Sequence, residues 1–143
     1  MNYKRPESVL VIVHTPHGQV LRLRRNSPPD FWQSVTGSLE EGEAPDAAAH
    51  RELLEETGIY AWPQSTGETR SYEILPEWRH RYAPDVTRNT EHVFVVEVAP
   101  NTEIRRDPRE HAEYRWLDRD AAAKLASSPT DRDAILAHVP VSR

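Results

Sequence analysis

Apolar and polar positions follow one another along this chain with a period that changes several times. Ser8 to His14 (SVLVIVH) is a nearly continuous apolar run, the pattern of a strand covered on both faces. Pro16-His17-Gly18 reads as a turn, after which Val20 to Arg25 (VLRLRR) alternates, Leu21 and Leu23 against Arg22 and Arg24. This hairpin directs one or two arginines across a surface, either as edge charges that block strand pairing or as partners for an anion. Asn26 to Asp30 is a loop, and Phe31-Trp32 are adjacent aromatics that face either a core or a ligand. Turn residues at Trp62-Pro63 and Ser65 to Gly67 precede a short strand near Arg70 to Leu75. Trp78 to Thr90 reads as a long polar loop, and Glu91 to Val98 and Glu113 to Leu117 as strands. Asp118 is placed to cap a helix through about Ala126, and Thr130 or Asp131 another through His138.

Between these strands lies the stretch with helical period, Pro45 to Thr57. Pro45 suits a first helical position, the alanines at 47–49 propagate the helix, and Gly58 suits its left-handed stop. Glu52, Glu55 and Glu56 stand at i, i+3 and i+4 and share one face, while Leu54, Ala47 and more loosely His50 make an opposite apolar stripe expected to pack on a core. On this reading Ala48 and Ala49 leave the acidic cluster uncovered. Three carboxylates on one face repel one another. They are explained either as a solvated acidic face or as the oxygen ligands of a divalent cation such as Mg²⁺, which shares such ligands with substrate phosphates. Arg51, four residues before Glu55, is placed to pair with it.

The spacing decides between these alternatives. Gly37, Glu43, Arg51, Glu52, Glu55, Glu56 and Gly58, with aliphatic Leu53 and Ile59, recur at fixed intervals. At about one residue in fifteen per position, seven such positions coincide by chance on the order of once in 10⁸ placements. The stretch resembles the Nudix box, a glycine, five residues, a glutamate, seven residues, then R-E-aliphatic-x-E-E-x-G-aliphatic. The resemblance implies an α/β/α sandwich, with a mixed sheet between helices, and hydrolysis of a phosphoanhydride with Mg²⁺ (or Mn²⁺) as cofactor. It makes Glu52 and Glu56 metal ligands, Glu55 a further ligand or the general base, and Arg51, Glu52 and Glu55 the catalytic group.

Three flanking blocks, Tyr3 to Pro6, Asp30 to Gly37 and Arg79 to Glu91, are similar to the bacterial dihydroneopterin triphosphate diphosphatase branch of that family. The branch implies a fourth ligand, Glu110, and substrate contacts at Lys4, Arg24, Thr36, Tyr72, Glu73, Ile74, Leu75 and Ser128, with Arg79, His80 and Arg81 as secondary phosphate contacts. Tyr72 stacks on a pterin in this reading, or is a core tyrosine. The expected reaction cuts dihydroneopterin triphosphate to the monophosphate and pyrophosphate. The alternatives are a pyrophosphohydrolase of dATP or modified nucleotides, a nucleotide-binding module without turnover, and a structural metal cluster whose removal lowers the melting temperature.

Composition narrows the remaining classes. A chain of 143 residues, 37% hydrophobic and 29% charged, is expected to fold as one domain with a real core. The absence of cysteine excludes disulfides and thiolate metal sites. A net charge of −5 argues against a broad basic surface for nucleic acid, so the expected partner is a small pteridine or nucleoside triphosphate. No apolar leader follows MNYKRPES and no run reaches membrane-spanning length, which gives a cytoplasmic protein without a membrane partner as the expectation. Oligomeric state stays open.

Overall fold

The structure, a computed structural model, describes residues 3–141; Met1 and Asn2, at the head of the stretch read as lacking a leader, lie outside them. In chain order the elements are β1 (Glu7–His14), β2 (Gln19–Arg25), β3 (Trp32–Gln33), β4 (Val35–Ser38), α1 (Pro45–Thr57), β5 (Gln64–Glu73), a 3₁₀ turn (Pro76–Arg81), β6 (Arg88–Glu97), β7 (His111–Asp118), α2 (Arg119–Leu125) and α3 (Pro129–His138). The strands form one seven-stranded mixed sheet. β1 runs parallel to β6 along its whole length and antiparallel to β4 over Ser8–Val11, whereas it meets β2 at a single pair, His14 and Val20. β7 pairs with β2, and β5 with β6.

The continuous apolar run of β1 has the predicted consequence. Val9, Val11 and Val13 join Leu21, Leu23, Ala48, Ala49 and Leu53 in the core under α1, while Leu10 and Ile12 join Val93, Ala122, Ala134 and Ile135 under α2 and α3. Helices therefore cover both faces of the sheet, giving the expected α/β/α layering.

Several local expectations need correction. α1 starts at Pro45 and ends at Gly58 with φ 77°, as read, but its buried side is Ala48, Ala49, Leu53, Glu56 and Thr57. Leu54 is exposed, and the proposed stripe with Ala47 and His50 does not face the core. Leu53 outweighs Leu54 because it shares a face with the small alanines, which let the helix approach the sheet closely. Arg22 is not a surface charge: it is fully buried and ion-paired to Asp131 at 2.7 Å. Asp131 is therefore an interior anion, not a helix cap; α3 begins at Pro129, and no side-chain cap bond is made by Asp118 or Ser128. β5 starts six residues before the expected strand, with a register shift between Ser65 and Thr69 that accommodates Gly67 at φ 77°. The segment 78–90 is partly ordered by the 3₁₀ turn and by the start of β6.

Candidate active site

Gly37 is the point at which α1 meets the sheet. Its strand, β4, lies beside β1, with Thr36 opposite Leu10 and Gly37 opposite Val9. The Glu52 carboxyl group lies so close to Gly37 that any Cβ there would overlap it. The demand for glycine is one of space, and it lets a helix carboxylate reach the cavity on this end of the sheet.

Arg51 holds the neighbouring loop. Its Nε and Nη2 each donate to a Glu43 carboxylate oxygen at 2.8 Å, and its Nη1 donates to Glu52 Oε1 at 2.7 Å. Glu55, the expected partner, is more distant at 3.5 Å and largely exposed. The loop ahead of α1 folds back over it and delivers Glu43 in bidentate geometry, which the i, i+4 pair cannot match. This pairing raises the Arg51 pKa and holds Glu43 below the usual carboxylate range.

Glu56 is the unusual group. It is 1% exposed, and neither carboxylate oxygen has a hydrogen-bond partner among the described residues. Burial, followed by the neighbouring Glu52 and Glu110, pushes its pKa well up, opposed only by the nearby Thr36 backbone N–H, which stays outside hydrogen-bonding geometry. Glu110 is also raised, first by burial and then by Glu52. Its loop is tied to the end of β2: Asn26 N donates to Glu110 O at 2.9 Å and Asn26 Nδ2 to Pro108 O at 2.8 Å. A carboxylate oxygen of Glu56, one of Glu110 and a ring nitrogen of His111 lie within 4.8 Å of one another. His111 accepts at Nε2 from the Gln33 amide at 2.9 Å, and burial lowers its pKa to about 4, which keeps it neutral. Clustered carboxylates with unpartnered oxygens suit a hard divalent cation, which would offset both their repulsion and their desolvation.

Two cavities that share a wall lie beside this cluster. The larger, of about 910 Å³, has Glu52, Glu110, Thr36 and Gly37 on one side and the cations Lys4, Arg25, Arg81 and Arg109 around it. The Lys4 pKa is lowered, first by burial and then by Arg81, and that of Arg25 is lowered by the same causes. The Lys4 backbone N–H is anchored on Arg81 O at 2.8 Å. Gln33, Thr36, Tyr72 and Trp78 are common to this chamber and to a smaller one of about 330 Å³, which adds Leu10, Phe31, Leu75 and, at its polar end, Glu91 and Thr130.

The expected contact residues divide accordingly. Lys4 and Thr36 border the large chamber, although the Thr36 hydroxyl donates to Val9 O at 2.9 Å. Tyr72, Glu73, Leu75 and Ser128 border the small one, whereas Ile74 is buried and on neither wall. Arg24 is also off both walls, bound to Glu113 at 2.7 Å and to Pro29 O at 3.0 Å. The register of β2 against β7 shifts between Arg24 and Arg25, so simple alternation does not reach Arg25, the arginine that borders the chamber. Glu55 is on neither wall, and Glu56 lies behind the wall that Glu52 forms. Sequence reasoning missed Arg25, Arg109, His111 and Glu91. The adjacency of His111 to Glu110 was a usable signal; nothing local marked Glu91.

Known proteins share this arrangement to different depths. The solved structure of the E. coli dihydroneopterin triphosphate pyrophosphohydrolase superposes with a TM-score of 0.91 at 44% identity, covering 97% of this chain and 98% of that one. By sequence, the chain is 45% identical over 139 residues to the dihydroneopterin triphosphate diphosphatase of Escherichia coli K12, covering 93% of this chain and 91% of that protein. The C. elegans Ap4A hydrolase shares the fold alone, with a TM-score of 0.70 and 17% identity over 91% of this chain and 92% of that one. The family model described as NUDIX domain matches residues 4–139. A match of that extent, on a chain whose box glycine and Glu52 meet at one cavity, means that this protein belongs to the NUDIX domain family and is a Nudix hydrolase.

Proposed function

We propose that the enzyme hydrolyses dihydroneopterin triphosphate to dihydroneopterin monophosphate and pyrophosphate, with Mg²⁺ held by Glu52, Glu56 and Glu110. The observation that carries this reading is the pair of adjacent cavities, a cation-rich chamber of about 910 Å³ that shares Gln33, Thr36, Tyr72 and Trp78 with a largely apolar one of about 330 Å³. A ligand with a polyanionic chain and a flat heterocycle has one place for each part. The similarity to the E. coli diphosphatase supports the choice of a pteridine.

A phosphoanhydride resists attack because it is anionic, so catalysis is chiefly charge neutralisation and positioning of water. A divalent cation bound at the carboxylates supplies Lewis acidity to the phosphate oxygens and acidifies a water. The protein's own groups do the rest. Lys4, Arg25 and Arg81 hold the phosphate chain, and Gly37 leaves the space through which Glu52 reaches it. Arg51, clamped between Glu43 and Glu52, is a positioning residue that keeps the Glu52 carboxylate turned toward the chamber. A box glutamate, Glu52 on the chamber wall or Glu55 beside it on α1, takes the proton from the attacking water.

Pyrophosphate release in Mg²⁺ tests this, with dihydroneopterin triphosphate compared against GTP, dATP and 8-oxo-dGTP, and with Glu55→Gln as a control. The expected result is a kcat/KM for the pteridine at least about tenfold above each nucleotide, equivalent to about 1.4 kcal/mol. A nucleotide preferred by that margin would keep the hydrolase and overturn the substrate.

A further inference from the structure

Glu91 is a buried carboxylate that the hydrolysis does not use. It projects from β6 into the floor of the small cavity, 4% exposed, on the same side of the strand as Asn89 and Val93. Among the described residues no cation lies within ion-pairing distance of it. Its hydrogen bond comes from the Thr130 hydroxyl at 3.0 Å, at the start of α3, and reaches one oxygen, Oε1. The apolar part of the chamber is Leu10, Phe31, Leu75 and the rings of Tyr72 and Trp78, while Gln33, Thr36, Glu73 and the stretch 127–131 supply the rest of its lining. Arg70, opposite Glu91 on β5, acts on it without forming an ion pair, and burial of the carboxyl outweighs that help and lifts its pKa to about 7. Asp131, next to Thr130 in the same wall, shows the contrasting case, since Arg22 pairs with it. A ligand that brings two adjacent N–H donors would complete Glu91 in the way Arg22 completes Asp131.

We propose that Glu91 is the residue that selects the heterocycle, accepting hydrogen bonds from the adjacent ring N–H and exocyclic amine of a 2-amino-4-oxo ring. This rests on the pteridine reading above, and it adds the atoms that make the choice. Dihydropterin and guanine both present that donor–donor edge. Adenine presents an amine beside a ring acceptor, which would set a ring lone pair against the carboxylate. Glu91 therefore separates 2-amino-4-oxo rings from adenine, while the shape of the chamber between Leu10 and Trp78 separates a pterin from a guanine. Glu91 is far from the hydrolysed bond in this arrangement, so its effect falls on binding.

The test compares wild type with Glu91→Gln, which keeps the size of the side chain and places an amide donor against the ring donors. Steady-state KM and kcat are measured for dihydroneopterin triphosphate, GTP and dATP. Binding of neopterin, which has no phosphate and needs no metal, is followed by its fluorescence. The expected result is a rise of about 10- to 100-fold in KM for the pteridine and GTP and in the neopterin Kd, with dATP changed less than about threefold and kcat nearly constant. An equal loss on all three substrates would mean that Glu91 supports the fold, and an unchanged neopterin Kd would mean that the ring does not meet it; either overturns the proposal. Failure of the pteridine reading is separate, because it appears in wild type as a preference for a nucleotide. The melting temperature of the metal-free variant is expected to stay level or rise, which excludes unfolding as the cause.

Discussion

Two buried carboxylates, Asp131 on α3 and Glu56 on α1, differ in the partners that surround them. Around Asp131, both carboxylate oxygens are satisfied: Arg22 Nη2 donates at 2.7 Å, Ser34 N at 2.9 Å and Ser34 Oγ at 2.8 Å. Around Glu56 there is no donor to either oxygen among the described residues, and the nearest charged neighbours are the acids Glu52 and Glu110. The first cluster ties β2 and the junction of β3 and β4 to α3. The second has no such donors, and the proposed divalent cation would supply the charge that offsets it. Burial of charge alone does not separate a structural residue from a functional one; the presence or absence of partners does.

Breaking the complete cluster is expected to have the largest effect. Asp131→Ala leaves Arg22 buried and uncompensated and should destabilise the protein by about 3–5 kcal/mol in chemical denaturation. Replacing both members by apolar residues, Arg22→Met with Asp131→Leu, should recover much of that loss; if the double variant is as unstable as the single one, the pair is not the unit that matters. Breaking the incomplete cluster should reverse the pattern. Glu56→Gln removes an unpaired buried acid, so the metal-free melting temperature should hold or rise, while kcat falls by roughly 10²- to 10³-fold. Mg²⁺ at about a hundred times its Kd should stabilise wild type by about 2.7 kcal/mol, or about 5–10 °C, and Glu56→Gln much less. A variant that kept full activity and the full Mg²⁺ shift would remove Glu56 from the metal site.

The same contrast explains what was legible in the sequence. The box reads well because close packing at one point links both of its sides: a Cβ at Gly37 would push the Glu52 carboxylate out of its present place. β1 reads well because burial on both faces leaves only apolar residues between Val9 and Val13. Long-range charge pairing does not read at all. Arg22 looks like an edge arginine until Asp131, more than a hundred residues later, is brought to it by α3. Leu53 and Leu54 are adjacent and chemically identical, so only the rotation of α1 against the sheet decides which is buried. The β2 register shift has the same character: it depends on how β7 lies alongside and re-aims an arginine without marking the sequence.

Glu91 lies between the two clusters in kind, having one hydroxyl donor and no cation, and pH sharpens its position. Its pKa is raised from 4.5 to about 7, with burial the main cause, Asp131 adding to it, and Thr130 and Arg70 opposing. A carboxyl raised in the folded state binds more protons there than in the unfolded chain, so stability is fully present below about pH 4.5 and is lost as pH rises through about 7. The full shift corresponds to roughly 3 kcal/mol. Metal-free wild type should therefore lose more stability between pH 5 and 8 than Glu91→Gln, to an extent of about 2–3 kcal/mol in urea unfolding. Identical pH profiles would mean that the Glu91 carboxylate is solvated in the folded state.

The smallest expected effect separates two adjacent arginines. Arg25 borders the large chamber and faces Glu110 and Glu56 electrostatically, while Arg24 is occupied by Glu113 and Pro29 O. A guanidinium held off the chamber by its own carboxylate contributes little to a phosphate. Arg25→Ala should raise KM for the triphosphate by about tenfold with a smaller change in kcat, the signature of lost ground-state binding. Arg24→Ala should change KM by less than about threefold and lower stability by no more than about 1 kcal/mol, the value of a half-exposed ion pair. The reverse outcome, with KM sensitive to Arg24 and not to Arg25, would mean that substrate binding pulls Arg24 away from Glu113. The cavity wall in the ligand-free protein would then differ from the one the phosphates meet.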